Sequence, residues 1–471
     1  MFKNALWQIT VVVLVTFLFI TLSHASETDI VVLKLLLKKG VITQKEYDEV
    51  INELKNTTAV EPKNSVANTK EEVKKEEGVT AQAGGVKEEE AATSGQEKSF
   101  VDSIDINGNV IVVGQGTVEN SDNVPPGSDV TDAVLRSDLE VSAPVYDVGT
   151  VYINLRAGAG FGLGGEGRLN AFYGVNGVEH TGKEDFHMNE AWYEHTLFDN
   201  KILFTVGKVD LTNYFDTSVV ANDEATQFLA GGFINNIAVE FPANTMGARL
   251  TLAPNELYDV SVGWQPGDSV WENVFSKPFI IGEVALHPQI ASLKGNYRLY
   301  GWTNRKEHEV IENPKDYAIV LPRESASKRQ DIEIPTVLNK DGWGFGTSID
   351  QQVYSNITLF GRVGYQNDNI YPFDIAWSTG FDINGDMWSR TDDILGFAYG
   401  MAHLSSRYED ELRYIENLSP KTEKRMEVYY SLKVNDKVYI SPDAQLFMDA
   451  LGQGEKDTIW ALALRGTFNF R

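Results

Sequence analysis

The C-terminal stretch runs Trp460-Ala461-Leu462-Ala463-Leu464-Arg465-Gly466-Thr467-Phe468-Asn469-Phe470. One row of alternate residues is mostly large and apolar, and the residues between them are small or polar. Because successive side chains of a β-strand point to opposite faces, this pattern predicts a strand with one apolar face. The same alternation recurs from Phe100 onward, for example over 151–156, 248–252 and 427–434. Counting such segments gives roughly 16 to 18 strands, a number typical of a porin-sized barrel.

Three features separate this pattern from that of a soluble β-sandwich, whose strands also alternate. The segments are about ten residues long, several carry aromatic residues at their ends, and the chain finishes on an aromatic-rich strand. Arg471 lies one residue beyond Phe470, so the aromatic end is displaced by one position. We therefore predict an all-β fold, an antiparallel outer-membrane β-barrel of about 16 strands over residues 100–471. An open edge in lipid would leave backbone groups without hydrogen bonds, so the last strand should pair with the strand near 103–113.

The composition excludes several classes of protein. The 471 residues contain 67 Asp and Glu against 41 Lys and Arg, which gives a net charge of −26, and there is no cysteine. The absence of cysteine excludes a disulfide scaffold and thiolate metal sites, and the acidity argues against binding of nucleic acid. A hydrophobic content of 42% with a mean hydropathy of −0.24 is too polar for a helical membrane protein.

The first hundred residues predict three segments ahead of the barrel. Residues 1–25 have the pattern of a signal peptide, because the apolar run after Lys3 is too short to span a bilayer. Residues 26–55 have the spacing of a short helical hairpin, which is either an interaction module or merely an amphipathic leader. Residues 56–99 lack aromatic residues and are rich in Glu and Lys, so we expect a disordered acidic linker. These segments predict export to the outer membrane of a Gram-negative-type bacterium.

Seven short motifs share one pattern over much of residues 185–471. They are Asn189–Glu194, Val206–Thr217, Ala221–Leu229, Phe233–Asn236, Phe360–Tyr365, Asp392–Gly396 and Ser441–Gln445. Together they resemble the carbohydrate-selective porin family (OprB type), and the block from Gly207 to Asn236 is the most specific. The extra Arg471 and the acidic linker depart from the family pattern. The resemblance implies a sixteen-stranded barrel in the outer membrane that passes sugars by diffusion.

A diffusion channel needs no catalytic group, but it needs a polar inner row and a constriction that selects by size, charge and hydrogen bonding. The alternation places these polar residues in the inner row: Arg136, Asp138, Glu140, Asn154, Arg156, Arg249, Arg362, Glu427, Lys433 and Arg465. Mixed carboxylates and guanidinium groups suit a neutral sugar, whose hydroxyls both donate and accept hydrogen bonds. Trp192 or Tyr193 could stack on the apolar face of a sugar. An ordinary salt bridge in the lumen, or a place in the aromatic girdle, explains each of these residues as well.

The segment from Lys208 and Asp210 to Asp216, continued by Asn222-Asp223-Glu224, holds more polar groups than a connecting loop needs. It either folds inward as a constriction loop, with Lys208 and Asp210 at the pore, or forms a solvated rim. The residues alone leave both arrangements open.

We expect no enzymatic site. The six histidines beyond the signal peptide form no HxH or HxxxH pair, so no metal site and no cofactor is predicted. The leading interpretation is a porin for mono- or small oligosaccharides, surrounded by outer-membrane lipid. A general or ion-conducting pore without sugar preference and an envelope-tethering structural protein are the alternatives. A homo-oligomer and an envelope contact through residues 26–55 stay open.

Overall fold

The computed structural model describes residues 103–118, 129–146, 148–165, 169–178, 182–311, 341–454 and 458–470. The predicted signal peptide, hairpin and linker lie outside the described residues. The strands are β1 (Asp105–Val118), β2 (Thr131–Val145), β3 (Gly149–Gly160), β4 (Gly182–Leu197), β5 (Ile202–Val209), β6 (Thr245–Asn255), β7 (Tyr258–Pro266), β8 (Pro278–Leu286), β9 (Gln289–Ile290), β10 (Leu293–Asn304), β11 (Gly342–Tyr354), β12 (Ile357–Gln366), β13 (Phe373–Asn384), β14 (Ile394–Leu404), β15 (Glu423–Asn435), β16 (Val438–Met448) and β17 (Ile459–Phe470).

The strands close into one antiparallel barrel. Each long strand pairs with the long strands that precede and follow it, and β8 pairs with β10 across the two-residue strand β9. Strand β17 returns to β1, with Phe470 opposite Gly108 and Trp460 opposite Val118. The sheet therefore has sixteen long strands, and the predicted pairing of the last strand with the first is confirmed. Closure gives the edge strands hydrogen-bond partners, which a bilayer cannot supply.

The alternation sorts the side chains onto two faces. Outer-row residues stay exposed and apolar, with Leu250 at 42% and Leu464 at 56% exposed. Their neighbours on the inner row are polar and buried, with Thr251 at 8% and Arg465 at 1% exposed. This is the arrangement expected of a barrel whose outside meets lipid.

The two ends of the barrel differ in the length of their connections. One end carries the short turns, such as 355–356 and 436–437, together with the start of β1 and the end of β17. The opposite end, called the long-loop end below, carries longer connections such as 161–181, 210–244 and 405–422.

The helices are all short and lie outside the strands. In the described residues they are α1 (Gly231–Ile234), α2 (Ser406–Tyr414) and three 3-10 helices at Leu211–Asn213, Gly385–Trp388 and Ala450–Gly452. Within the part of the chain that the structure describes, none of the helices is long and apolar enough to cross a membrane.

Two of the longer connections contact the inner row of the barrel wall. The long inward segment comprises residues 210–244, and the short inward segment comprises residues 161–165 and 169–178. Tyr173 and Phe228 from these segments are at most 1% exposed and pack with Phe360 of the wall in one apolar cluster. The barrel interior is therefore partly filled by its own chain.

Candidate functional site: the polar lumen and its inward segments

The long inward segment begins where β5 ends, and the inner face of β4 holds its start. Asp210 accepts hydrogen bonds from the backbone N–H (3.0 Å) and the hydroxyl (2.6 Å) of Thr212, which caps the 3-10 helix there. Glu190 of β4 accepts from the Asp210 N–H at 3.2 Å and from the Asn213 amide at 3.2 Å. A wall carboxylate thus fixes the point where the chain leaves the wall.

Further along the segment, carboxylates of other strands accept its free backbone N–H groups. Glu283 of β8 accepts from Asp216 N–H at 2.8 Å. Asp350 of β11 accepts from the Ser218 hydroxyl at 2.5 Å and from the backbone N–H that follows at 3.2 Å. Glu427 of β15 accepts from the consecutive N–H groups of residues 229 and 230. Since the segment has little regular structure, these acceptors replace the partners that a helix or sheet would give.

Wall arginines hold the carbonyl groups of the same segment. Arg362 of β12 donates to the carbonyl oxygens of Phe233 (2.5 Å), Asp216 (2.8 Å) and Ala221 (2.8 Å). Its Nε also lies 3.2 Å from the carboxylate of Asp216, and both side chains are at most 1% exposed. Arg465 of β17 donates to the carbonyl oxygen of Glu224 at 2.7 Å. The segment is therefore anchored on strands from several sides of the barrel.

The short inward segment packs between the long one and β14–β16. Glu423 of β15 accepts from the N–H groups of Phe172 (2.9 Å) and Tyr173 (3.2 Å). The carbonyl of Tyr173 accepts from Gly232 N–H at 2.8 Å, which ties the two segments together. In the sequence, the only indication of this segment is that apolar–polar alternation is absent over a stretch longer than a turn needs. Its glycine-rich start predicts nothing more than a flexible turn.

One group of charged side chains meets the long inward segment from β2 and β3. Arg156 Nε lies 2.6 Å from the carboxylate of Asp138, which also lies 3.1 Å from Arg136 Nε. Arg136 in turn pairs with Glu224 of the segment. The side chain of Arg156 is 25% exposed and that of Glu224 is 23% exposed, whereas Asp138 is 3% exposed. The two ends of this charge chain therefore face accessible space in the lumen, and Glu140 lies near it on β2.

The two neighbouring acids of the long inward segment differ in acidity. Burial raises the pKa of Asp223, and the adjacent Glu224 carboxylate raises it further. Burial also opposes ionisation of Glu224, but the charge and hydrogen bond of Arg136 outweigh it and hold its pKa below the usual value. Of the two, Asp223 therefore becomes protonated at the higher pH, and Glu224 stays ionised to lower pH.

An aromatic and charged surface lies on the inner face of β3–β6. The rings of Tyr152 and Trp192 stack with centroids 4.8 Å apart, and Trp192 donates to Glu190 at 3.1 Å. Next to them Arg249 pairs with Glu194 at 2.5 Å and lies 3.9 Å over the ring of Tyr214. Sequence reasoning did not single out Tyr152, Glu190 or Tyr214 as candidates.

The predicted site residues divide into three groups. Arg136, Asp138, Glu140, Asn154, Arg156, Asp210 and Arg249 lie on the inner row or the inward segment, around the charges just described. Arg362, Glu427 and Arg465 also point inward, but at no more than 3% exposed they hold the long inward segment rather than face open space. Lys433 lies at the end with short turns, paired with Asp392 and Asp436.

Two candidate positions need correction, because strand alternation turns both side chains to the outer row of the barrel. Lys208 belongs to β5 and shares the outer row with Phe204, which is 41% exposed, and its ammonium donates to the carbonyl of Met188 at 2.5 Å. Tyr193 shares the outer row of β4 with His195, whose ring it contacts at 2.7 Å. Neither side chain lies in the lumen.

Among the described residues, no group of three or more His, Asp or Glu could hold a metal ion.

Comparisons with known proteins agree with this architecture. The family model described as "Carbohydrate-selective porin, OprB family" matches residues 128–470. Porin AaxA of Chlamydia pneumoniae is 20% identical over 254 residues, covering 54% of this chain and 52% of the relative, and Porin AaxA of Chlamydia muridarum is 21% identical over 269 residues. The chain thus spans about half the length of these curated relatives. The solved structure of Pseudomonas putida OprB at high pH has a TM-score of 0.64 at 15% identity, covering 79% of this chain and 95% of that one.

Proposed function

This chain belongs to the carbohydrate-selective porin family, OprB, and from that premise we propose that its barrel lets mono- and small oligosaccharides diffuse passively across the outer membrane. The fold and the family are those of a channel, and we propose no catalytic step for it. The inner row supplies what a passive selector needs, which is a polar surface narrowed by segments that the wall holds in place.

The observation that carries this proposal is the stacked pair Tyr152 and Trp192 beside charged groups. A sugar ring has an apolar face that stacks on an aromatic ring, and hydroxyls around its edge that both donate and accept hydrogen bonds. Glu190 lies within hydrogen-bond distance of Trp192, and Arg249 with its partner Glu194 lies on the same inner face. Donors, acceptors and a ring surface therefore meet on one side of the lumen.

Swelling of proteoliposomes with sugars of increasing size tests the proposal. We expect Trp192→Ala to lower the rate for a disaccharide more than the rate for a small polyol, because only the ring-bearing solute uses the stacking surface. Tyr193→Ala is the matched control, since Tyr193 neighbours Trp192 but lies on the outer row. Equal changes for all solutes in the Trp192 variant would contradict sugar recognition at this surface.

A general or ion-conducting pore is the second candidate, and the net charge of −26 favours it. An acidic lumen would attract cations and make the pore cation-selective without any sugar preference. Reversal potentials in a planar bilayer, measured with and without added sugar, separate the two functions. We also keep the homo-oligomer and an envelope contact through residues 26–55 as proposals, the latter lying outside the described residues.

A further inference from the structure

The connection between β7 and β8, residues 267–277, folds onto the outer surface of the barrel. The ring of Phe275 stacks on Trp264 with centroids 4.9 Å apart and an interplanar angle of 25°. Trp264 shares the outer row of β7 with Val262 and lies opposite Ile280 of β8. Val262 is 48% and Ile280 is 42% exposed, as lipid-facing residues are. The stacking therefore places this loop, called the outer aromatic loop below, against the lipid-facing row.

The outer aromatic loop exposes large apolar side chains although its base is fixed. Val270 is 41%, Trp271 is 56% and Phe275 is 74% exposed. At the base, Gly267 N–H donates to the Lys277 carbonyl at 2.6 Å, and the Ser269 hydroxyl accepts from a backbone N–H of the long inward segment at 2.9 Å. Exposed rings on a fixed base are costly in water, so the loop has the properties of a surface that is covered in the membrane.

Two of the three charged side chains of this loop lie at its base, and the third, Glu272, is exposed beside Trp271. Lys277 lies 3.6 Å from Asp268 and 3.5 Å from Glu307, which follows β10. The exposed part of the loop thus carries apolar rings together with one carboxylate. That mixture suits a boundary between hydrocarbon and headgroups better than a uniform medium on either side.

The length of the hairpin gives an independent reason for lipid contact. Strands β7 and β8 have 9 residues each, whereas the adjoining β10 has 12. At ~3.4 Å per residue and a tilt of ~40°, nine residues rise about 23 Å along the barrel axis and twelve rise about 31 Å. The apolar band of an outer-membrane barrel is ~25 Å tall. Rings folded outward from the end of a short hairpin extend the band where the strands end early.

We propose that the outer aromatic loop is an interfacial lipid anchor, with Trp271 and Phe275 at the boundary between acyl chains and headgroups on the long-loop side of the membrane. Indole favours this depth because its ring is apolar and its N–H reaches water, and the neighbouring phenyl ring adds apolar surface. The anchor is continuous with the lipid-facing row through Trp264. The lipid that covers this row therefore also covers the loop. This contact does not depend on which solute the pore carries.

The absence of native cysteine allows a direct test with single labelled cysteines. The full chain, reconstituted in phosphatidylcholine vesicles, carries a nitroxide at Trp271→Cys, Leu257→Cys or Leu464→Cys. These positions are matched in exposure at 56%, 58% and 56%, but Leu257 lies in the turn between β6 and β7 and Leu464 in the outer row of β17. Collision of the label with dissolved oxygen reports hydrocarbon, and collision with a water-soluble nickel chelate reports water.

We expect the oxygen-to-nickel accessibility ratio at position 271 to be several-fold above that at 257 and below that at 464, because a label at the interface lies shallower than one in the middle of β17. Brominated lipid should also quench the tryptophan fluorescence of Trp271, measured as the difference between the unmodified chain and Trp271→Phe. This second measurement needs no label. A ratio at 271 like that at 257 would place the loop in water and overturn the proposal. Protection from both collision agents, with spin–spin broadening between copies, would overturn it in favour of a protein partner.

Discussion

Arg156 and Arg362 are both inner-row arginines, yet their surroundings give them opposite tasks. Arg156 has one carboxylate partner and a quarter of its side chain exposed, so its charge acts on the lumen. Arg362 is 1% exposed along its side chain and satisfies three carbonyl groups and the buried carboxylate of Asp216. Removing a partner from a buried pair leaves the other charge uncompensated and costs about 3–5 kcal/mol.

Truncating each of the two arginines should therefore have a different effect on the protein. We expect Arg362→Ala to destabilise the folded barrel and loosen the long inward segment, seen as a lower temperature of unfolding in heat-modifiability gels and as noisier single-channel conductance. Arg156→Ala should leave the unfolding temperature nearly unchanged and alter ion selectivity instead. Equal unfolding temperatures for both variants would contradict the anchoring role of Arg362.

The pair Asp223 and Glu224 predicts a pH dependence of ion selectivity. Because its pKa is raised, Asp223 loses its negative charge at a higher pH than an ordinary aspartate, whereas Glu224 stays ionised beside Arg136. Lowering the pH should therefore weaken cation preference in a first step that Asp223→Asn removes. Reversal potentials across a pH series measure this step. A step that persists in the Asp223→Asn channel would assign it to another group.

At the level of the elements, alternation predicted the barrel well because lipid imposes it on every strand. The outer row must be apolar, so the sequence alone indicated that Leu250 and Leu464 lie on the outer face. The same rule could not say which inner residues face open space, since that depends on what else fills the barrel. Arg465 and Glu427 are inner residues covered by the long inward segment, and only the folded chain shows it.

The short inward segment was beyond sequence reasoning for a different reason. Its position depends on Glu423, some 250 residues further along the chain, and on the close approach of Tyr173 to β14. Neither contact leaves a local pattern. Lys208 was misplaced because β5 continues through Val209 to the point where the polar run begins, so strand alternation still governs its direction.

Gly400 of β14 lies against the ring of Tyr173 from the short inward segment. A Cβ there would lie 2.6 Å from the ring of Tyr173, closer than any ordinary contact, whereas a Cβ at the outer-row Gly114 would meet nothing within 4 Å. We expect Gly400→Ala to displace Tyr173 and change single-channel conductance, and Gly114→Ala to leave it unchanged. Identical conductance of the two variants would show that the segment does not shape the pore.

For the whole molecule, the pairing of β1 with β17 closes the barrel, and among the described residues the first paired one is Asp105. We therefore expect proteolytic removal of residues 26–99 to leave heat-modifiable barrel and conductance intact. Deletion of residues 459–471 should abolish both, because β1 and β16 would then present unpaired backbone to lipid. Loss of conductance on removing residues 26–99 would mean that the preceding segments complete the channel.

The anchoring of the inward segments also dictates an order of assembly. The N–H groups of Phe172 and Tyr173 and of residues 229 and 230 donate to carboxylates of β15, and the carbonyl of Glu224 accepts from Arg465 of β17. These partners are separated by roughly 200 to 250 residues. Contacts so distant in sequence form slowly, because a long loop must close before they stabilise anything. A chain that lacks its C-terminal strands thus leaves part of the amide and carbonyl groups of both inward segments without hydrogen-bond partners. The inward segments belong to the first half of the sequence, but their hydrogen bonds are complete only when the last strands have joined the barrel. Barrel closure and the final shape of the pore therefore form in the same step.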